Sequence, residues 1–374
     1  MEGMKMTTQP ALGSRAEKRA FYARTLRITG PIALQNFMDA AVSSADVIML
    51  SFVSQAALAA SSLAGQVAFV LQMLLFGVSS GASVLAAQYW GKGDRRAVER
   101  VMGLSLRITV GIGLLFTLAA LAAPGLLMRI FTTDIALISE GEKYLRAVAA
   151  SYLLGGFCTV YLSVMRSVER VRMSALVHCS AVGMNVVLNA CFIFGWAFFP
   201  KLGITGVALA TSITRLIETA ICLLDSQRCR VIRLRARDLI ARGGELMRDF
   251  MRYAVPAAAN DIIWGLAFSV YAIILGHLSS NIVAANSVAT VVRNLGTVVC
   301  FGMSSSAAII LGKAMGENRL EDANIYAKRL TIMSIITGLT AGVIVLISMP
   351  FLLSFAKITP LAKDYLKWML VVSV

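Results

Sequence analysis

The sequence predicts an all-α integral membrane protein, two lobes of a parallel six-helix repeat with about ten of twelve spans present. Three observations lead there. Hydrophobic residues make up 58% of the 374 and charged residues only 15%, against roughly 45–50% and about 25% in soluble domains; mean hydropathy is +0.76. The apolar residues fall in runs long enough to cross a bilayer, which takes about 20 residues, without the alternation of a β-barrel strand. The chain also repeats itself at an offset of 225 residues. This composition excludes a soluble enzyme, a disordered chain and a fibrous repeat.

In order along the chain, residues 1–26 form a basic tail. Spans are expected at about 28–52, 58–90, 101–128, 145–166, 173–196 and 203–225, giving a first lobe over 27–226. Val47–Gly91 carries no charge, and its length needs two crossings with a turn near Ser51–Gln55. The segment 227–249 alternates Arg with Leu and Ile, and is expected to be a surface helix joining the lobes. Spans at about 253–276, 282–312, 329–353 and from 361 onward begin a second lobe over 250–374. Lys and Arg concentrate on one side of these spans, 26 of them in Met1–Arg27, Gly91–Arg107, Arg166–Arg172, Arg228–Arg252 and Lys313–Arg329, against 7 on the other. The positive-inside rule then puts the N-terminus in the cytoplasm. The net charge of +15 is read as a set of loops facing anionic lipid rather than nucleic acid.

The repeat keeps its register without a gap. Arg27 falls on Arg252, Pro31 on Pro256, Phe76-Gly77 on Phe301-Gly302, Ser79-Ser80 on Ser304-Ser305 and Gly91 on Gly316. Both copies start on the same side of the membrane, so the repeat is parallel, about an axis along the membrane normal. By that symmetry the second copy stops early, and the chain is expected to be a C-terminally truncated twelve-span protein.

Several stretches carry a family resemblance. Pro31 followed by Asp46, LAASSLAGQ (Leu58–Gln66), GVSSGASVLAAQYWGKGD (Gly77–Asp94), LGITGVALATSITRLIE (Leu202–Glu218), NSVATVVRNLG (Asn286–Gly296) and GKAMGENRLEDA (Gly312–Ala323) together resemble the multidrug and toxic compound extrusion (MATE) family. The resemblance implies a V-shaped, two-lobed antiporter that exports organic cations or other amphipathic compounds against inward H⁺ or Na⁺. It implies a bacterial inner-membrane location, a small-molecule substrate that is cationic and amphipathic, contact with membrane lipids and a monomer. No nucleic-acid partner is expected, and no cofactor beyond the coupling ion. A lipid-linked precursor flippase is the alternative; it would line its cavity with several basic residues, whereas the spans hold Asp39, Asp46, Glu218 and Asp261 against Arg215 and Arg293.

Charged residues inside spans are costly and mark function or pairing. Asp46 matches the family's acidic residue of the first span and is the leading ion-coupling candidate; packing against Ser43 and Ser44 is the alternative. Asp39 lies two turns earlier on about the same face. Asn185 matches a family asparagine near that aspartate, and Asn189 stands where some members carry Asp; interhelical amide hydrogen bonds are the rival reading. Asp261, in the second lobe, lies near Trp264, where relatives carry an acidic ligand, and Arg293 is a candidate to neutralise it. Arg215 and Glu218, three apart on one helix, are expected to pair structurally. Pro31 and Pro256 are candidate hinges. Gly77 and Gly81 form a GxxxG, read as close helix packing. The six cysteines hold no CxxC and the two histidines, His178 and His277, lie far apart, so no metal site and no catalytic set is expected.

Overall fold

The computed structural model describes residues 15–51, 55–195, 200–229, 231–234, 237–238, 244–278, 280–355 and 360–372. These residues form eleven helices and no strand: α1 (Arg15–Ser51), α2 (Gln55–Gly91), α3 (Arg95–Ala122), α4 (Pro124–Arg129), α5 (Ile135–Ser167), α6 (Val171–Phe194), α7 (Ile204–Arg228), α8 (Gly244–Leu278), α9 (Ser280–Gly316), α10 (Leu320–Phe355) and α11 (Pro360–Val372). Seven stretches among the described residues are long and apolar enough to cross a membrane: in α2, α3, α5, α6, α7, α9 and α10.

The 225-residue offset reappears in the elements themselves. Helix α2 begins at 55 and ends at 91, and α9 begins at 280 and ends at 316; α3 begins at 95 and α10 at 320; α5 begins at 135 and α11 at 360. The halves also meet through symmetric contacts. Gly77 on α2 abuts Ala258 on α8, and its mate Gly302 on α9 abuts Ala33 on α1. Gly91 meets the carbonyl of Lys313, and Gly316 that of Gln88. Gly81 faces Ala254, where an added Cβ would sit 2.7 Å from the alanine methyl; at the mate position the Thr29 and Ser306 hydroxyls hydrogen-bond at 2.7 Å. Ala87 and Gly312 are each other's mates and touch directly, which puts the pseudo-twofold axis between them. These contacts lie toward the ends of α2 and α9 that adjoin the Lys/Arg-rich segments, hereafter the basic end. Small residues let the backbones approach there.

Helix α5 forms the centre of the first half, packed against α2, α3 and α7. Tyr161 and Met165 on α5, with Met102 and Leu106 on α3, are fully buried in one apolar cluster. The described residues change three expectations. The basic tail is helical from Arg15: Phe21 is buried and stacks on Tyr326 of α10 at 4.8 Å, so burial of its ring favours continuing the helix into this segment. The span expected over 101–128 breaks at Ala123, and Pro124 starts a separate short helix, because proline lacks the N–H and clashes with the preceding turn. The linker is not helical at 229 and 231–234. There the Arg233 N–H is donated to Glu99 Oε1 at 3.0 Å and the Leu234 N–H to Ser226 Oγ at 3.1 Å, while Ile232 is fully buried. Side-chain acceptors replace the helical ones, while Ile232, with Val231 and Leu234 beside it, packs into the apolar cluster formed with α3 and α5.

Candidate functional site

Four ionisable side chains from three helices meet in the first half. His178 lies two turns into α6, Asp39 faces it from α1, and Arg215 and Glu218 sit three apart on α7. His178 Nε2 is 2.9 Å from Asp39 Oδ1, and His178 Nδ1 is 3.1 Å from Glu218 Oε1. The other oxygen of Glu218 accepts from Arg215 Nη1 at 2.7 Å. The Glu218 side chain is 0% exposed, that of His178 16% and that of Asp39 53%. The chain of groups therefore runs from an accessible carboxylate to a buried one.

The geometry requires a particular proton count. Ionised carboxylates only accept hydrogen bonds, and a neutral imidazole has one N–H. Each ring nitrogen faces a carboxylate oxygen, so two hydrogens are needed. One proton beyond the neutral imidazole is therefore held in the trio, on the ring or on a carboxyl. With the ring protonated, the charges alternate as Asp39⁻, His178⁺, Glu218⁻, Arg215⁺, and the Arg166 guanidinium of α5 adds a further positive charge near Asp39. Loss of the proton removes the donor to one of the two carboxylates and leaves an acceptor unmatched, which is costly at a buried position. Arg215 and Glu218 do pair, as their spacing suggests, but within this larger cluster. The sequence reading passed over His178. Its signal was available: it is the one ionisable group in the Met173–Pro200 run besides Cys179 and Cys191, and Asn185 lies seven residues after it just as Asp46 lies seven after Asp39.

The other candidates divide. Asn189 and Asn185 are buried, and Asn189 Nδ2 donates to Asn185 Oδ1 at 3.2 Å. Asn185 Nδ2 in turn reaches Thr211 Oγ1 on α7 at 3.5 Å. They continue the polar face of α6 away from the basic end. Asp46 belongs to α1, and its side chain lies outside the described residues. Asp261 is half-buried and makes no ion pair among the described residues. Arg293 does not neutralise it: its guanidinium lies over the Phe268 ring at 5.1 Å and donates to Thr290 Oγ1 at 3.3 Å. Among the described residues no carboxylate comes within ion-pair distance of Arg293, and a ring and a hydroxyl one turn away on its own helix take its contacts instead. Helices α1 and α8 run unbroken through Pro31 and Pro256.

At the basic end the halves are joined by charge. Glu169, in the turn between α5 and α6, has φ 66°, a left-handed conformation that costs a non-glycine residue roughly 1 kcal/mol. The next residue anchors the turn: Arg170 donates to both oxygens of Asp225 at 2.8 and 3.0 Å. Glu169 Oε1 then accepts from Lys313 Nζ of α9 at 2.8 Å and from Arg24 of α1. Burial would raise the Glu169 pKa, but Arg24 and Lys313 outweigh it and hold the carboxyl below its ordinary value. Arg329 of α10 pairs with Glu17 of α1 at 2.7 Å.

Comparison with known proteins decides the family. The profile of the MatE family matches residues 31–191 and 256–374. The chain belongs to the MatE family. Its relatives include the probable multidrug resistance protein NorM of Thermotoga maritima, 23% identical over 321 residues, covering 86% of this chain and 69% of that protein. The multidrug resistance protein NorM of Burkholderia vietnamiensis is 27% identical over 300 residues, covering 78% and 63%. The chain thus spans about two thirds of the length of these curated relatives. A crystal structure of MATE in the straight conformation superposes with TM-score 0.85 at 21% identity, over 94% of this chain and 78% of the other. The same family in the bent conformation gives 0.82 at 21% identity, over 94% and 77%. The relatives are transporters rather than enzymes, and a MATE transporter fold is what the duplicated helices form.

Proposed function

We propose that this chain works as a proton-coupled efflux transporter for amphipathic small molecules, organic cations among them, and that the Asp39–His178–Glu218 cluster is where the coupling proton is held. One observation supports this above the rest: both ring nitrogens of His178 face carboxylate oxygens, 2.9 and 3.1 Å away, an arrangement that needs an extra proton. Imidazole titrates near neutral pH and is a poor ligand for Na⁺, which takes oxygen donors, so the cluster favours H⁺ as the coupling ion. Arg215 is the fixed counter-charge to Glu218. Asn185 and Asn189 continue the polar face of α6 toward the opposite membrane side. Asp46, seven residues after Asp39 in the sequence of α1, is the candidate for a second proton-holding carboxylate.

Coupling requires that the proton and the cargo stabilise different facing states. The ion pairs and glycine contacts of the basic end belong to the state closed there. With the N-terminus cytoplasmic and the chain acting as a monomer in a bacterial inner membrane, closure of the basic end faces the cargo site outward. The flippase alternative is not favoured, since the matched relatives bear multidrug names.

The test is reconstitution of the protein in liposomes, with a pH or a Na⁺ gradient imposed separately and efflux of ethidium followed by fluorescence. Efflux is expected under the pH gradient alone. His178→Gln and Asp39→Asn should each abolish the gradient-driven component while leaving insertion intact. Efflux driven only by Na⁺, or full pH-driven efflux in His178→Gln, refutes the reading.

A further inference from the structure

The second half contains a cavity of about 550 Å³ that the proton cluster does not touch. Phe268 and Tyr271 of α8, Asn286 and Arg293 of α9, and Trp368 and Met369 of α11 form most of its wall. Its volume falls within the range of small-molecule sites, roughly 300–1,000 Å³. Its depth follows from helix rise. Arg293 lies 13 residues into α9 and Trp368 lies 8 residues into α11, roughly 20 and 12 Å from those helix starts. Arg293 stands at the start of the apolar stretch Val292–Gly316 of α9.

The wall has two chemical parts. Three aromatic rings supply flat apolar faces on which another ring can stack. The fourth element is a guanidinium, and its charge has no carboxylate partner among the described residues. One of its N–H groups reaches Thr290 Oγ1 at 3.3 Å and one face lies over Phe268 at 5.1 Å. Arginine has five N–H donors in a planar fork. Thr290 and Phe268 leave most of that fork unspent, and the hydroxyl and the ring do not neutralise the charge. No acidic residue is among the cavity's lining residues. The half-buried Asp261 stands on α8 two turns before Phe268, about 10 Å away along the axis. A charged arginine inside a span is expensive and calls for a partner.

We propose that this cavity binds an aromatic molecule bearing a carboxylate or comparable anionic group, the ring stacked among Phe268, Tyr271 and Trp368 and the anion held by the Arg293 fork. The site is selective for planar anions and zwitterions over simple aromatic cations, because a cation would meet the guanidinium with no carboxylate to offset it. A carboxylate accepts two parallel N–H bonds from arginine, the strongest charged geometry available to it. The proposal rests on the transporter reading for its purpose, since it names a cargo class. Its geometry is independent of the proton cluster in the other half.

Binding without any gradient separates the two. Purified protein in lipid nanodiscs is titrated with 2-naphthoate and with 2-naphthylmethylammonium, probes of similar shape and opposite charge, by calorimetry at pH 7. The naphthoate should bind at least tenfold more tightly. Arg293→Gln should erase that preference by weakening naphthoate tenfold or more, whereas Arg293→Lys, which keeps the charge and loses the fork, should retain part of it. Phe268→Leu should weaken both probes. Equal or tighter binding of the ammonium probe, or unchanged naphthoate affinity in a folded Arg293→Gln protein, overturns the proposal. Failure of both ethidium and naphthoate efflux under a pH gradient, with naphthoate binding selectivity intact, would count against the proton-coupling reading alone.

Discussion

Replacing Lys313 by Gln should loosen the basic end, and the structure sets the size of the effect. Glu169 is held by two cations, but only Lys313 comes from the other half of the molecule; Arg24 belongs to the same half. Lys313→Gln therefore removes the inter-half leg and leaves Glu169 satisfied by Arg24. The Lys313 and Glu169 side chains are 23% and 32% exposed. An exposed ion pair contributes about 0.2–1 kcal/mol, and a hydrogen bond to a charged group about 1.5–3 kcal/mol. At this intermediate exposure, screened by solvent, about 1 kcal/mol is expected, roughly a fivefold shift toward states open at the basic end. Arg24→Gln should shift the same equilibrium less, because the Glu169–Lys313 contact survives. The six cysteines are all free, so spin labels are best introduced through a ketone side chain at exposed Arg96 and Leu320, one in each half. Pulsed electron–electron resonance then reads the distance distribution. A distribution unchanged by Lys313→Gln, or a larger opening with Arg24→Gln, refutes the reasoning. The pH dependence has a definite sign. The Glu169 pKa is lowered in the folded protein, so its contribution is complete above the ordinary carboxylate value and is lost as pH falls through the lowered one. Between about pH 8 and 6 the Glu169 carboxylate stays ionised, so its pairing contributes equally throughout, and any pH-dependent change in the wild-type distribution over that range should persist in Lys313→Gln.

Other outcomes follow from the same contacts. Gly81→Leu should cost about 1–3 kcal/mol by overpacking against Ala254, seen as a lower melting temperature in detergent; Gly111→Leu, where nothing lies within 4 Å, should be silent, and equal effects would reject the close-packed interface. Glu218→Gln leaves Arg215 and His178 without their buried anion and should destabilise by about 3–5 kcal/mol. The Arg215→Gln/Glu218→Gln double variant should recover part of that loss, and a double variant no more stable than the single would argue against pairing. Pro31→Ala tests the hinge candidate: α1 is already continuous through Pro31, so a variant with unchanged ethidium efflux would assign the proline to local packing.

Much of the architecture was legible because hydropathy and register are local or nearly so. The apolar runs located the crossings, and the 225-residue offset anticipated that α2 and α9 would start and stop in step. Two breaks in helical structure depart from the expected spans. Pro124 already carried the signal for a break. Around Ile232 no local pattern foretold the break, because the acceptors for the Arg233 and Leu234 N–H groups are Glu99 and Ser226, side chains that lie elsewhere in the chain. The candidate site was legible only in parts. Asp39, Glu218 and Arg215 stood out as charges inside spans, but His178, which joins them, resembled an isolated histidine because its partners lie 139 and 40 residues away in sequence.

The amino-acid order by itself determined the membrane class, the helix count within reach of a break or two, and the duplication, since each depends on properties repeated along one segment or copied at a constant offset. Tertiary structure alone decided that a histidine bridges two carboxylates, that Arg293 stacks on Phe268 instead of neutralising Asp261, and that Lys313 reaches across to Glu169. Those outcomes depend on which helices become neighbours, and on a few ångströms of rotation and depth that no single helix encodes.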